Sequence, residues 1–151
     1  MPFLSDAFPE DLRKQYAERN LKIGTILRVP VTDVPGRDFK FYVVVGYSND
    51  KIALGVLYIN SVINPNVFPT EELRRLHVPI KLDHRKLVDK DCYIDCSKIY
   101  EKEAEHINDL VISNPEYVRG QLDERETGTI LSTIYSAKTI SRIYKRRFGI
   151  E

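Results

Sequence analysis

The chain has 151 residues, a net charge of +1, 42% hydrophobic and 30% charged residues, which fits one ordinary folded domain with room for a terminal appendage. A charge this near zero excludes any whole-chain argument for nucleic acid; only a local basic patch would carry one. Residues 1–14, MPFLSDAFPEDLRK, hold no apolar run and place acids before the first base, which predicts neither a secretory leader nor a membrane span and a cytoplasmic location.

Residues 9–20, PEDLRKQYAERN, predict a helix, with Pro9 suited to its first position and acids preceding bases. Leu12, Tyr16 and Arg19 share a thin apolar face, as in a peripheral helix docking on a barrel rim or a partner. Residues 23–31 predict a strand that Pro30 ends or places at an edge. A loop, 31–38, carries Pro35-Gly36-Arg37. Residues 39–47, FKFYVVVGY, are the densest β-branched and aromatic run and predict the sheet centre. Ser48-Asn49-Asp50 is a turn composition, and residues 51–63 complete a hairpin.

Thr70 is placed to cap a single helical turn after the loop 64–70. Short strands are predicted at 77–82 and 91–99, separated by an exposed polar turn, Asp83-His84-Arg85-Lys86. Residues 101–110 fit either a strand or a short helix. Residues 113–116 resemble a helix opening that Gly120 would close. Residues 123–140 carry the strongest helical pattern, capped by Asp123; Gly128 inside it costs about 1 kcal/mol against alanine, which predicts a close packing contact. Residues 141–148, SRIYKRRF, predict a basic amphipathic helix. Five or so short local strands with no helix between them predict a small antiparallel barrel or half-barrel rather than a βαβ sheet.

Cys92 and Cys96, on a strand, would stand roughly 13 Å apart at about 3.3 Å per residue, too far to bridge; they predict buried free thiols in a reducing compartment. His77, His84 and His106 show no ligand spacing, so neither a metal nor a cofactor is predicted. His84, beside Arg85 and Lys86, suits a phosphate contact or a solvated turn. Arg37 and Lys40 place two cations at the exit of the long loop, suited to holding a phosphate, and Asn60 and Ser61 lie near that exit if the strands pair antiparallel. A cation with an amide or hydroxyl is the minimum for metal-free RNA cleavage, where the substrate's 2′-OH is the nucleophile; a solvated loop explains the same residues. Lys145 and Arg146, in the only basic cluster interleaved with aromatics, suit nucleic acid or an acidic partner, and equally a helix C-terminus stabilised by cations.

Taken in order, these features resemble the PemK/MazF-like toxins, the endoribonuclease half of type II toxin–antitoxin pairs. Lys22-Ile23-Gly24-Thr25-Ile26 stands where that family opens its first strand, and Lys40-Phe41-Tyr42-Val43-Val44-Val45 where its long loop ends in Arg-Pro-Val-Val-Val. Tyr58-Ile59-Asn60-Ser61 stands for a strand ending in Ile-Thr, Asp91-Cys92-Tyr93-Ile94 for the Asp-Ser-Tyr/Val-Ile strand, and Gly120-Gln121-Leu122-Asp123 for the turn before the closing helix. The resemblance implies a mainly β, α+β fold: an SH3-like barrel with its closing helix over 21–140, an N-terminal helical extension over 1–20 and a basic tail over 141–151. It implies metal-independent, sequence-selective cleavage of single-stranded RNA by a dimer, silenced by a small acidic antitoxin. Arg37 or Lys40 would stabilise the phosphorane, Asn60 or Ser61 would assist, and His84, Arg85, Lys86, Lys145 and Arg146 would contact RNA. Lys40 stands at the family's arginine position and Asn60 at its threonine, so the same groove also suits a non-catalytic barrel that binds a protein or peptide.

Overall fold

The hairpin predicted from FKFYVVVGY forms the middle of the sheet in the computed structural model, which describes residues 21–30, 38–80 and 92–151. The helix expected over 9–20, Arg37 and the turn with His84, Arg85 and Lys86 lie outside the described residues. Strand β2 (Phe39–Tyr47) faces β3 (Ala53–Asn60), with Tyr42 opposite Tyr58 and Val44 opposite Val56. β1 (Thr25–Pro30) pairs with the other edge of β2, and β7 (Val118–Gln121) pairs with β1. The outer edge of β3 is divided: residues 53–56 take β6 (Tyr100–Glu103), while Ile59 and Asn60 take β5 (Cys92–Asp95), which carries β4 (His77–Ile80). These pairings are antiparallel, and the seven strands curl into a half-barrel.

Helices cover both faces, which explains why β2 and β3 read as continuous apolar runs. Between the strands, Thr70 caps the single turn α1 (Glu71–Arg74) by accepting from the Leu73 backbone N–H at 3.2 Å, as its position predicts. On one face Leu27, Val29, Tyr42, Val44, Leu54, Val56 and Tyr58 pack under Ala104, Ile107 and Val111 of α2 (Ala104–Ser113). On the other, Ile26, Val43, Leu57, Ile59, Cys92, Ile94 and Cys96 pack under Ile130 and Ile134 of α3 (Glu124–Ser136). Each such aliphatic side chain contributes about 1.5–3 kcal/mol by leaving water. Both cysteines are buried and free, and burial pushes the Cys96 thiol up to about 12. No helix among the described residues is long and apolar enough to cross a membrane.

The chain departs from expectation mainly between residues 100 and 121. The segment that fits strand or helix is both, β6 running into α2. The opening at 113–116 is the end of α2 followed by one 3₁₀ turn at Pro115–Tyr117. Gly120 closes no helix; it lies in β7 opposite Ile26. Helix α3 stops at Ser136 rather than 140, with Ala137 already extended. Its start is as predicted: the Asp123 carboxylate accepts from the Glu126 backbone at 2.8 Å while Glu126 accepts from the Asp123 N–H at 3.1 Å, a capping box. Gly128 makes no close contact, since an added Cβ would meet no atom within 4 Å. Gly128→Ala is therefore expected to stabilise the protein by about 0.5–1 kcal/mol, read as a higher urea midpoint; a lower midpoint would mean the glycine serves a purpose.

The last helix, α4 (Arg142–Arg147), starts at the Ser141 cap and is anchored by one aromatic ring. A bulge between Val44 and Gly46 shifts the β2–β3 register, so that Gly46 faces Gly55 across the hairpin. Phe148 fills the space those two residues leave open: a Cβ on Gly55 would lie 2.8 Å from its ring, and one on Gly46 would lie 2.7 Å from its backbone oxygen. Arg147 donates to the Glu101 carboxylate at 2.7 Å, and burial together with a hydrogen bond to Glu101 pushes the Tyr144 hydroxyl up to about 12.

Candidate functional site

The hairpin register brings together two of the residues the sequence singles out. Tyr42 faces Tyr58, so the next pair on the same face of the ladder is Lys40 with Asn60. Their side chains join: the Lys40 Nζ donates to the Asn60 Oδ1 at 2.5 Å. Pairing extends this row across the sheet, from Val29 in β1 through Lys40 and Asn60 to Tyr93 in β5 and Pro79 in β4. Lys40, Asn60 and Tyr93 are half-buried and Pro79 is exposed. Ser61 follows directly after β3, half-buried in a bend.

Beneath this pair lies a stack the sequence reading missed. The Tyr58 ring is sandwiched by Tyr42 at 5.2 Å and Tyr100 at 3.8 Å, nearly parallel to both. Lys40 sits over Tyr58 with its Nζ 5.4 Å from the ring centre. Lys102 lies over Tyr42 and Tyr58, at 5.3 Å and 5.5 Å, and donates to the Tyr58 hydroxyl at 3.1 Å. Lys98 covers Tyr100 at 4.6 Å. The electron-rich stack and the Tyr58 hydroxyl draw the ammonium groups to its margins and offset their mutual repulsion, which lets three lysines gather on one face. Tyr42 and Tyr58 are buried, so they orient cations and offer no open face to a base. The signal for Lys102 was its alternation with Tyr100, legible only once β6 is known to be a strand.

The tail residues lie elsewhere. Phe148 seats α4 in the cluster that packs on the opposite face from Lys40 and Asn60. Lys145 is buried, its Nζ donating to the backbone carbonyls of Tyr135 at 2.8 Å and Ala137 at 2.9 Å. This satisfies the C-terminal carbonyls of α3 and complements that helix's dipole. Lys145→Met keeps the aliphatic stem but leaves both carbonyls without that donor, an expected loss of about 2–4 kcal/mol; an unchanged urea midpoint would show that solvent replaces the lysine. Arg146 is exposed, one nitrogen 3.7 Å from the Glu151 carboxylate.

A second polar cluster is closed to solvent. The Asp95 Oδ1 accepts from the Ser97 backbone at 2.9 Å and from its hydroxyl at 2.5 Å, and the His77 Nε2 lies 3.6 Å away. The His77 Nδ1 is 3.2 Å from the Leu73 carbonyl, and Phe68 packs edge-on at 4.2 Å. These contacts tie α1 and β4 to β5. Among the described residues no group of three or more His, Cys, Asp or Glu side chains is arranged to hold a metal ion. A groove of about 560 Å³ between α1 and the end of α3 is lined by Glu71, Glu72, Leu73 and Lys138 among others, and no predicted site residue lines it.

No family model matches the chain, and no curated protein or solved structure matches it either.

Proposed function

We propose that this chain is a PemK/MazF-like barrel that holds single-stranded RNA at the Lys40–Asn60 pair and cleaves it without a metal, acting as a dimer under the control of a small acidic antitoxin. The observation that carries the reading is the cross-strand bond between Lys40 and Asn60, at the end of β2 that follows the long loop with Arg37. In that reaction the 2′-OH gives its proton to water and attacks the adjacent phosphorus, the P–O2′ bond forms as the P–O5′ bond breaks, the departing O5′ takes a proton from water, and the products are a 2′,3′-cyclic phosphate and a 5′-hydroxyl. The Lys40 ammonium meets the charge growing on the non-bridging oxygens. The Asn60 oxygen aims that ammonium and its NH₂ is left to donate to phosphate. Arg37 adds a forked cation that lysine alone does not provide, and Ser61 supplies a hydroxyl beside the pair.

The second reading is a barrel of the same kind that binds a protein or peptide and cuts nothing. Asn60 favours it, because an amide does not take a proton from a 2′-OH. Incubating the purified protein with a long mixed RNA in EDTA, then mapping the ends, separates the two. Cuts at a recurring short sequence, carrying cyclic phosphate ends, support the nuclease. Intact RNA with retained binding to a protein partner supports the module.

A further inference from the structure

Helix α4 has a fixed orientation. Lys145 and Phe148 point inward, so the helical period turns Arg142, Ile143 and Arg146 outward, where all three are exposed. Arg147 is committed to Glu101. Arg142 and Arg146 stand one turn apart, about 6 Å of rise, and like charges at that spacing repel. What sits between them is a carboxylate: the Glu151 Oε1 accepts from the Arg142 Nε at 2.7 Å, lies 2.7 Å from a second Arg142 nitrogen and 3.7 Å from Arg146. Beside them Tyr135, at the end of α3, is 58% exposed and within electrostatic reach of Arg142.

We propose that this outer face of α4 is a second RNA-contacting surface, where Arg142 and Arg146 take phosphate groups, Tyr135 takes a base, and Glu151 competes as a built-in anion. The inference rests on the RNA reading above and extends it to the side of the sheet away from Lys40. An arginine fork that accepts a carboxylate accepts two phosphate oxygens equally well. An exposed tyrosine offers a stacking face that every base fits. The face presents two guanidinium groups and a single exposed aliphatic, Ile143, and it lacks the cluster of apolar residues at the centre of a protein interface, which favours a flexible charged strand over a folded protein.

The test is fluorescence anisotropy with a labelled, uncleavable 2′-O-methyl RNA strand at several salt concentrations, alongside cleavage of ordinary RNA by the same variants. The exposed positions allow Arg142→Ala/Arg146→Ala to keep the fold, checked by circular dichroism. That variant is expected to bind at least tenfold more weakly at low salt and to lose about 1.4 from the slope of log affinity against log salt, at about 0.7 per phosphate contact on a single strand. Glu151→Gln is expected to bind severalfold more tightly. Unchanged affinity and slope in the double variant overturn the surface, and if Lys40→Ala then abolishes binding or cleavage, the RNA reading stands without it. Loss of binding in the arginine variant, with Lys40→Ala both binding and cleaving as the unaltered protein does, keeps the surface and removes the Lys40 site. No RNA binding by the unaltered protein, with arginine-dependent binding of polyglutamate, overturns both in favour of an acidic protein partner.

Discussion

Alanine in place of Lys40 is expected to lower RNA cleavage at least about a hundredfold, the usual cost of removing one group aimed at transition-state charge. The fold should tolerate the change. Lys40 is half-buried near the end of a hairpin whose core lies further along the strands, and what is lost includes a hydrogen bond to Asn60 and an ammonium near the Tyr58 ring. Those are worth about 1–2 kcal/mol together, which for a chain of this size shifts the melting temperature by about 2–8 °C. Lys40→Arg separates charge from aim: its longer fork keeps the cation but does not reproduce the Nζ position set by Asn60. Full cleavage by Lys40→Ala, with cut sites unchanged, would remove this residue from the reaction.

Phe148→Ala is expected to be among the most destabilising single changes in the molecule, at about 3–5 kcal/mol for a large buried aromatic. The ring occupies a slot that exists because residue 55 lacks a side chain, while Gly46 leaves room for the backbone oxygen of Phe148, and no neighbouring strand can move in to fill it without breaking the ladder. Gly55→Ala attacks the same contact from the other side. Its methyl would stand 2.8 Å from the ring, closer than packed carbons approach, and the expected cost is about 1–3 kcal/mol. The two changes should not add. With the ring gone, the methyl at position 55 enters empty space, so the double variant should be no less stable than Phe148→Ala alone, a coupling of about 1–3 kcal/mol. Urea midpoints for the four proteins, with equal slopes, measure this directly. Strict additivity would mean that α4 is held by its polar contacts, Lys145 to α3 and Arg147 to Glu101, rather than by the ring.

What was legible in the sequence were the features whose causes are local. FKFYVVVGY forms a strand with the bounds its composition predicts because β-branched and aromatic side chains suit an extended backbone wherever it lies. Asp123 with Glu126, Thr70 and Ser141 cap helices because each oxygen reaches a backbone N–H within its own turn. Lys40 and Asn60 could be proposed as neighbours because a tight hairpin forces its two ends together. YEKE and VRGQ, by contrast, are too short and too polar for their alternation to mark a strand. They are strands because β3 and β1 present unpaired edges to them, and Gly120 is a strand residue for the same reason. Gly128 looks like a packing contact in the sequence and is an open surface position, because which side of a helix faces inward depends on what it lies against.

The chain by itself thus determined the central hairpin, the helix starts at Thr70 and Asp123 and the proximity of Lys40 to Asn60, each through interactions between residues close in sequence. Only the tertiary structure decided that three tyrosines and three lysines share one face, that Lys145 is buried against helix carbonyls while Arg146 meets solvent, and that Phe148 fills a slot between two glycines. Those outcomes depend on segments distant in sequence meeting across the sheet, and burial, charge pairing and close packing are set at such meetings.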